Sequence, residues 1–162
     1  MKSWRHLTGV LALHFFALAG WAQLPAARLD YLYPPSGQRG AATEVAITGK
    51  DLEGVSWIRF SHSDIKAVPR KDEDGDVVPN EFVVTIGNNA PLGMHKAWVG
   101  GGRFGVSNYR TFVVGELPEL NAGSNNYRME DALPITVGTT VFGRAATAKY
   151  TWFKFPDRKS VV

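Results

Sequence analysis

The chain has 162 residues, of which 44% are hydrophobic and 20% charged, with 18 Lys and Arg against 15 Asp and Glu. That length suits one domain or two small ones of ordinary globular composition. Cysteine is absent, which excludes disulfides, a cysteine nucleophile and thiolate zinc or iron–sulfur sites.

The first residues, MKSWRH, carry Lys2 and Arg5. Fourteen mostly apolar residues run from Leu7 to Gly20, and Gly20-Trp21-Ala22 puts small residues where a signal peptidase reads. This order predicts a cleaved signal peptide over residues 1–22. The competing reading, an uncleaved membrane anchor, needs about 18–20 apolar residues to span a bilayer. The run here is shorter, and His14 interrupts it. Cleavage removes Lys2 and Arg5, so 18 basic residues become 16 against 15 acidic ones and the net charge falls from +3 to +1. The pI of 9.3 therefore overstates the basicity of the mature chain. No basic cluster remains to recruit nucleic acid or an anionic membrane surface. Membrane association is expected only through an uncleaved signal.

After the signal, short alternating or β-branched runs recur between Gly, Pro, Asn and Asp. They are ARLDYLY (27–33), TEVAITG (43–49), VSWIRFS (55–61), NEFVVTIG (80–87), MHKAWVG (94–100) and YRTFVVG (109–115). Six such runs bounded by turn signals predict an antiparallel β-sandwich. Alternation assigns Val45 and Ile47 to one face of their strand, and Phe82, Val84 and Ile86 form a cleaner stripe. Buried stripes of this kind contribute on the order of 1.5–3 kcal/mol per large side chain. VSWIRFS is apolar on both faces, with Val55, Trp57 and Arg59 on one and Ile58 and Phe60 on the other. Trp57 is therefore expected at a sheet edge or under a loop.

Composition changes at Gly115. GELPELNAGSNNYRMEDA (115–132) is rich in Glu, Asn, Gly and Ser, lacks a strand pattern and reads as a linker or extended lead-in. A second β pattern runs through LPITV (133–137), TTVFGRA (139–145) and YTWFKF (150–155), and a further strand is expected to begin at Lys159-Ser160-Val161-Val162. About three strands do not bury a sheet face by themselves.

Three stretches raise specific chemistry. GGGRFG (100–105) has the G-x-G-x-x-G spacing of a dinucleotide loop. Such a loop needs a helix after it to receive the pyrophosphate. The next residues, VSNYRTFVVG, are β-branched and aromatic, so the glycines are expected to join two strands in a hairpin and to bind no nucleotide. KDEDGDVV (71–78) spaces Asp72, Asp74 and Asp76 at alternate positions, as calcium sites do. An EF-hand would need Gly and Glu where Val77 and Val83 stand; a solvated loop tip is the favoured reading and a weak calcium site the other. Ser61-His62-Ser63-Asp64 sets a histidine between hydroxyls and near a carboxylate. Neighbours on a strand point to opposite faces, so that proximity builds no triad. His95 has no evident partner, and no catalytic, cofactor or metal residue is assigned. Trp57, Trp98, Tyr109 and Trp152 suit core or edge packing. If Trp98 lies exposed beside Arg103 and Tyr109, they form a binding surface instead.

YPPSGQRGAATEVAITGKDLEGV resembles the opening of an immunoglobulin-like module of the IPT/TIG type, with Pro35, Gly37, Gly40, Val45, Ile47 and Gly49 at the motif positions. APLGMHKAWV is similar to a later strand of that family, through Pro91, Gly93 and Val99. ALPITVGTTVFGRA and KYTWFKFP resemble the first part of a bacterial pre-peptidase C-terminal (PPC) domain. The first resemblance covers roughly residues 28–115 and the second 116–162. PPC domains usually carry acidic residues in the lead-in and before the aromatic strand. Here those stretches are Asn125-Asn126-Tyr127-Arg128 and Ala146 to Thr151, so the carboxylates that bind calcium in some relatives are mostly missing.

The expected organisation is a signal peptide (1–22), an Ig-like β-sandwich (23–115), a linker (116–132) and the N-terminal part of a truncated PPC-like or jelly-roll-like β domain (133–162). The resemblance implies an exported, non-catalytic module that spaces, stabilises, or binds a protein or polysaccharide at the cell surface. The alternatives are an accessory fragment of a secreted peptidase or other hydrolase, and a carbohydrate-binding module. No cofactor is expected.

Overall fold

A computed structural model describes residues 25–156. The expected signal peptide and Lys159–Val162 lie outside the described residues. The chain is all-β. Eight strands form two four-stranded sheets. The first contains β1 (Arg28–Tyr33), β3 (Ala42–Lys50), β6 (Val77–Ile86) and β5 (Ile65–Lys71), in the order β1-β3-β6-β5 and antiparallel throughout. The second contains β2 (Ser36–Gln38), β8 (Arg110–Gly115), β7 (Gly93–Gly100) and β4 (Trp57–Phe60), in the order β2-β8-β7-β4. Only the short β2 runs parallel to its neighbour, β8. The two strand orders are those of the ABED and CFG sheets of an immunoglobulin-type sandwich, with one short strand added to the second.

Period-2 alternation builds the core. Val45 and Ile47 of β3, and Phe82, Val84 and Ile86 of β6, turn inward from the first sheet. Ile58 and Phe60 of β4, Ala97 and Val99 of β7, and Phe112 and Val114 of β8 meet them from the second. Phe60 and Phe112 pack edge to face, with centroids 5.2 Å apart. Leu29 and Leu32 of β1 are both buried although three residues apart. A bulge between Leu29 and Tyr31 shifts the register and returns Leu32 to the inner face.

Three strands fall outside the alternating runs of the sequence. β5 carries Pro69 beside Lys66, Arg70 and Lys71, and proline demotes a strand reading. It is tolerated here because β5 is an edge strand with a bulge between Pro69 and Lys71. β2 comes after Pro34-Pro35 and is only three residues long. The third, β9 (Glu119–Asn121), lies in the polar stretch that reads as a linker and pairs in parallel with β11 (Thr140–Phe142). β10 (Leu133–Pro134) pairs in parallel with β12 (Phe153–Lys154).

The segment after β8 rests on the outer side of β1. The Tyr33 hydroxyl donates to Asn121 Oδ1 at 3.0 Å, and Tyr33 meets Phe142 edge-on at 5.6 Å. The Arg144 guanidinium lies 4.3 Å over the Tyr33 ring.

Glu119 is half-buried, and one of its carboxylate oxygens is buried with no hydrogen-bond partner. Burial raises its pKa above the ordinary carboxylate value, and the Ser36 hydroxyl offsets part of that rise. A raised folded pKa means that the folded chain holds this proton more tightly than the unfolded chain. The stability it contributes is complete below the unfolded pKa and is lost as pH rises through the folded one. Glu119→Gln is therefore expected to raise the Tm relative to the parent more at about pH 7 than at about pH 4, in thermal melts followed by circular dichroism.

Candidate functional site

GGGRFG closes the hairpin between β7 and β8, as its neighbours predict. Gly101 and Gly105 have φ of 83° and 79°, values that favour glycine. Gly102 bridges Gly105 across the turn. A strand comes next, so no helix end is present there to receive a phosphate. The Phe104 carbonyl accepts from the Ala27 N–H at 3.1 Å, and the Arg103 N–H donates to the Glu53 carbonyl at 3.2 Å. Asn108 fastens the hairpin to β1. Its Oδ1 accepts from the Leu29 N–H, and its Nδ2 donates to the Leu29 carbonyl, each at 3.0 Å.

Gly100 has a second role. A Cβ there would stand 2.6 Å from Trp57 Cη2 and 3.0 Å from Trp57 Cε2, and one at Gly101 would stand 2.9 Å from Trp57 Nε1. The glycines form a flat seat across which the Trp57 indole lies. On the indole sits the Arg59 guanidinium, 4.8 Å from the ring centroid.

Register carries this arrangement across the sheet. Arg59 of β4 pairs with Trp98 of β7. Ala97 pairs with Arg110, which brings Tyr109 beside Trp98. Lys96 Nζ lies 4.9 Å over the Tyr109 ring. Alternation sends Ala97 and Val99 into the core, so Lys96 and Trp98 face outward. Trp98 is half-buried and Tyr109 is 55% exposed. The outer face of the second sheet thus carries a row of aromatic rings flanked by cations, each cation held against a ring. Such contacts are worth about 0.5–1 kcal/mol at exposed sites.

The charge pattern is one-sided. Strands β2, β4, β7 and β8 contain no Asp or Glu. The opposite sheet holds Asp30, Glu44 and Glu81 and couples its arginines to them. Arg70 Nε lies 2.6 Å from Glu81 and 3.9 Å from Glu44, and Arg28 Nε lies 2.8 Å from Asp30. Among the described residues, neither Arg59 nor Lys96 has a carboxylate within 4.0 Å.

Of the four aromatics singled out in the sequence, Trp57, Trp98 and Tyr109 come together and Trp152 does not. The Trp152 carbonyl accepts from Asn126 Nδ2 at 3.1 Å, beside β10. The expected cation, Arg103, instead lies 5.5 Å over Phe104. Arg59 and Lys96 take that place. The signal for them is the alternation that puts Arg59 with Trp57 and Lys96 with Trp98 on shared faces.

The other candidates serve the local backbone. The tip of the β5–β6 hairpin is Asp72–Asp76, where Asp72 Oδ1 accepts the Asp74 and Asp76 N–H groups at 3.1 and 2.9 Å. Among the described residues, no three His, Asp or Glu side chains are grouped to hold a metal ion. His95, which has no evident partner in the sequence, meets His62 with ring centroids 6.0 Å apart. His95 Nε2 donates to the Pro91 carbonyl at 2.8 Å, and His62 Nδ1 accepts the Asp64 N–H at 3.3 Å. The Ser61 hydroxyl accepts the Lys96 N–H at 3.1 Å. No hydroxyl, imidazole and carboxylate fall in line there.

Compared with protein families, curated proteins and solved structures, the chain matches none of them.

Proposed function

We propose that the chain is an exported, non-catalytic binding module. Its Ig-like sandwich presents the face of Trp57, Arg59, Lys96, Trp98 and Tyr109 to a protein or polysaccharide outside the cytoplasm. The observation that carries this reading is the row itself: a half-buried Trp98 flanked across the strands by Arg59 and Tyr109. Aromatic and arginine side chains dominate binding energetics at surfaces, and here packing on rings fixes the cations in advance. Preorganisation of that kind lowers the ordering cost of association. Export rests on the signal-like N-terminus. The resemblances to IPT/TIG and PPC modules support an accessory role, in which residues 116–156, tied to β1 through Tyr33 and Arg144, space the sandwich from whatever adjoins it.

The test is a glycan array and an extracellular-protein array probed with the full chain and with Trp98→Ala. Trp98→Ala is expected to weaken the strongest signal by about 2 kcal/mol, roughly thirtyfold. An unchanged signal would remove this face from the binding site.

A further inference from the structure

We infer that this face recognises an acidic polysaccharide of the uronate class, a conclusion that rests on the proposed binding role and names its ligand.

Charge selects the sign of the ligand. The sheet that bears the face has no carboxylate in any of its four strands. Arg59 and Lys96 are instead held over Trp57 and Tyr109. A ring orients a cation and strips part of its water without neutralising it, so both charges stay open to an anion. An acidic side chain in this sheet would have cancelled them, as Glu81 does for Arg70 on the opposite sheet.

Shape selects a polymer. The row crosses β4 and β7 on the outer surface of a sheet and ends at Tyr109, just before β8. Neighbouring strands stand about 4.8 Å apart, close to the advance of one sugar residue along an extended glycan. Among the described residues, no cation or ring stacks on Trp98. Trp98, half-buried, has part of its indole left for the apolar face of a pyranose ring. A globular protein partner would have to cover a larger patch that takes in the exposed Met94 and Val113 on the same face, whereas a glycan chain needs the row alone.

The two features together select the class of anion. A uronate carries its carboxylate directly on the sugar ring, at the ring edge. A ring stacked on Trp98 puts that group beside Arg59, the direct cross-strand neighbour of Trp98, and a guanidinium matches a carboxylate with two parallel hydrogen bonds. The next residue along the glycan meets Tyr109 and Lys96. Sulfate and phosphate esters stand off the ring on a further bond and fit this spacing less closely.

Affinity electrophoresis of the full chain in gels containing polygalacturonate, dextran sulfate, neutral mixed-linkage β-glucan or poly-L-glutamate tests the inference. Polygalacturonate is expected to retard the chain most, and the effect should fall as salt rises. The double variant Arg59→Gln, Lys96→Gln should weaken retardation by about tenfold or more, as loss of a charge-assisted contact does. Lys50→Gln with Lys66→Gln, an equal loss of charge on the opposite sheet, should leave it unchanged. Far-UV circular dichroism checks that each variant is folded. Equal, salt-insensitive retardation by the neutral glucan would overturn the acidic ligand and leave the binding module standing. Preference for dextran sulfate would overturn the uronate. Preference for polyglutamate, undiminished by Trp98→Ala, would overturn the polysaccharide. Retardation by none of the four would overturn the inference, and the glycan and protein arrays would then decide separately whether the face binds anything.

Discussion

Phe112→Ala is expected to cost about 3–5 kcal/mol of unfolding free energy, measured by urea denaturation at an unchanged m-value. Phe112 is fully buried. It packs edge to face with Phe60 and approaches Gly37, both of its own sheet, where Ile86 of the opposite sheet closes on the same glycine; an added Cβ at Gly37 would stand 3.2 Å from Phe112 Cζ. Removing the ring opens a cavity between layers that the strands on either side hold apart, so little collapse can fill it. Against a total stability of roughly 5–15 kcal/mol for a domain, that loss brings the sandwich close to unfolding. Binding should then fall only in proportion to the unfolded fraction, because Phe112 faces inward from β8 and touches none of the outer row. A cost below about 1 kcal/mol would mean that the two sheets do not close on this ring.

Gly100→Ala is expected to strike stability and binding together. Its new Cβ occupies the seat of Trp57, with Cη2 2.6 Å away and Cε2 at 3.0 Å. Trp57 is bulky and its indole lies against both Gly100 and Gly101, so the ring must shift. Overpacking of this kind costs about 1–3 kcal/mol. Arg59 rests on that indole and loses its support, so retardation by polygalacturonate should weaken in parallel. The indole N–H resonance of Trp57 should move and that of Trp152 should stay. A variant with parental stability and an unmoved Trp57 resonance would show that the glycine is there for the turn alone.

Much of the fold is legible in the sequence because alternation is a local signal. Val45 and Ile47, or Phe82, Val84 and Ile86, announce a strand and its inner face within a few residues. The glycine loop is legible for the same reason, since β-branched residues come directly after it. Elements that depend on distant neighbours are hidden. Pro69 argues against β5 until its place at a sheet edge is known, and β9 becomes a strand only when Thr140–Phe142 pairs with it. The bulge that returns Leu32 to the core leaves no mark in RLDYLY. The site divides in the same way. Its aromatics are visible one by one, but the cation beside them is chosen by the pairing of β4 with β7. That register brings Arg59 to Trp98, whereas local sequence favours Arg103. The meeting of His62 with His95 is likewise a product of register.

The most direct measurement is a two-dimensional NMR titration of the isotope-labelled full chain with polygalacturonate oligomers, accompanied by an assay for new reducing ends. Shifts should concentrate at Trp57, Arg59, Lys96, Trp98 and Tyr109, spare β1, β3, β5 and β6, and leave the oligomers intact. Shifts gathered on the opposite sheet, or oligomers shortened over time, would contradict a non-catalytic module that binds through this face.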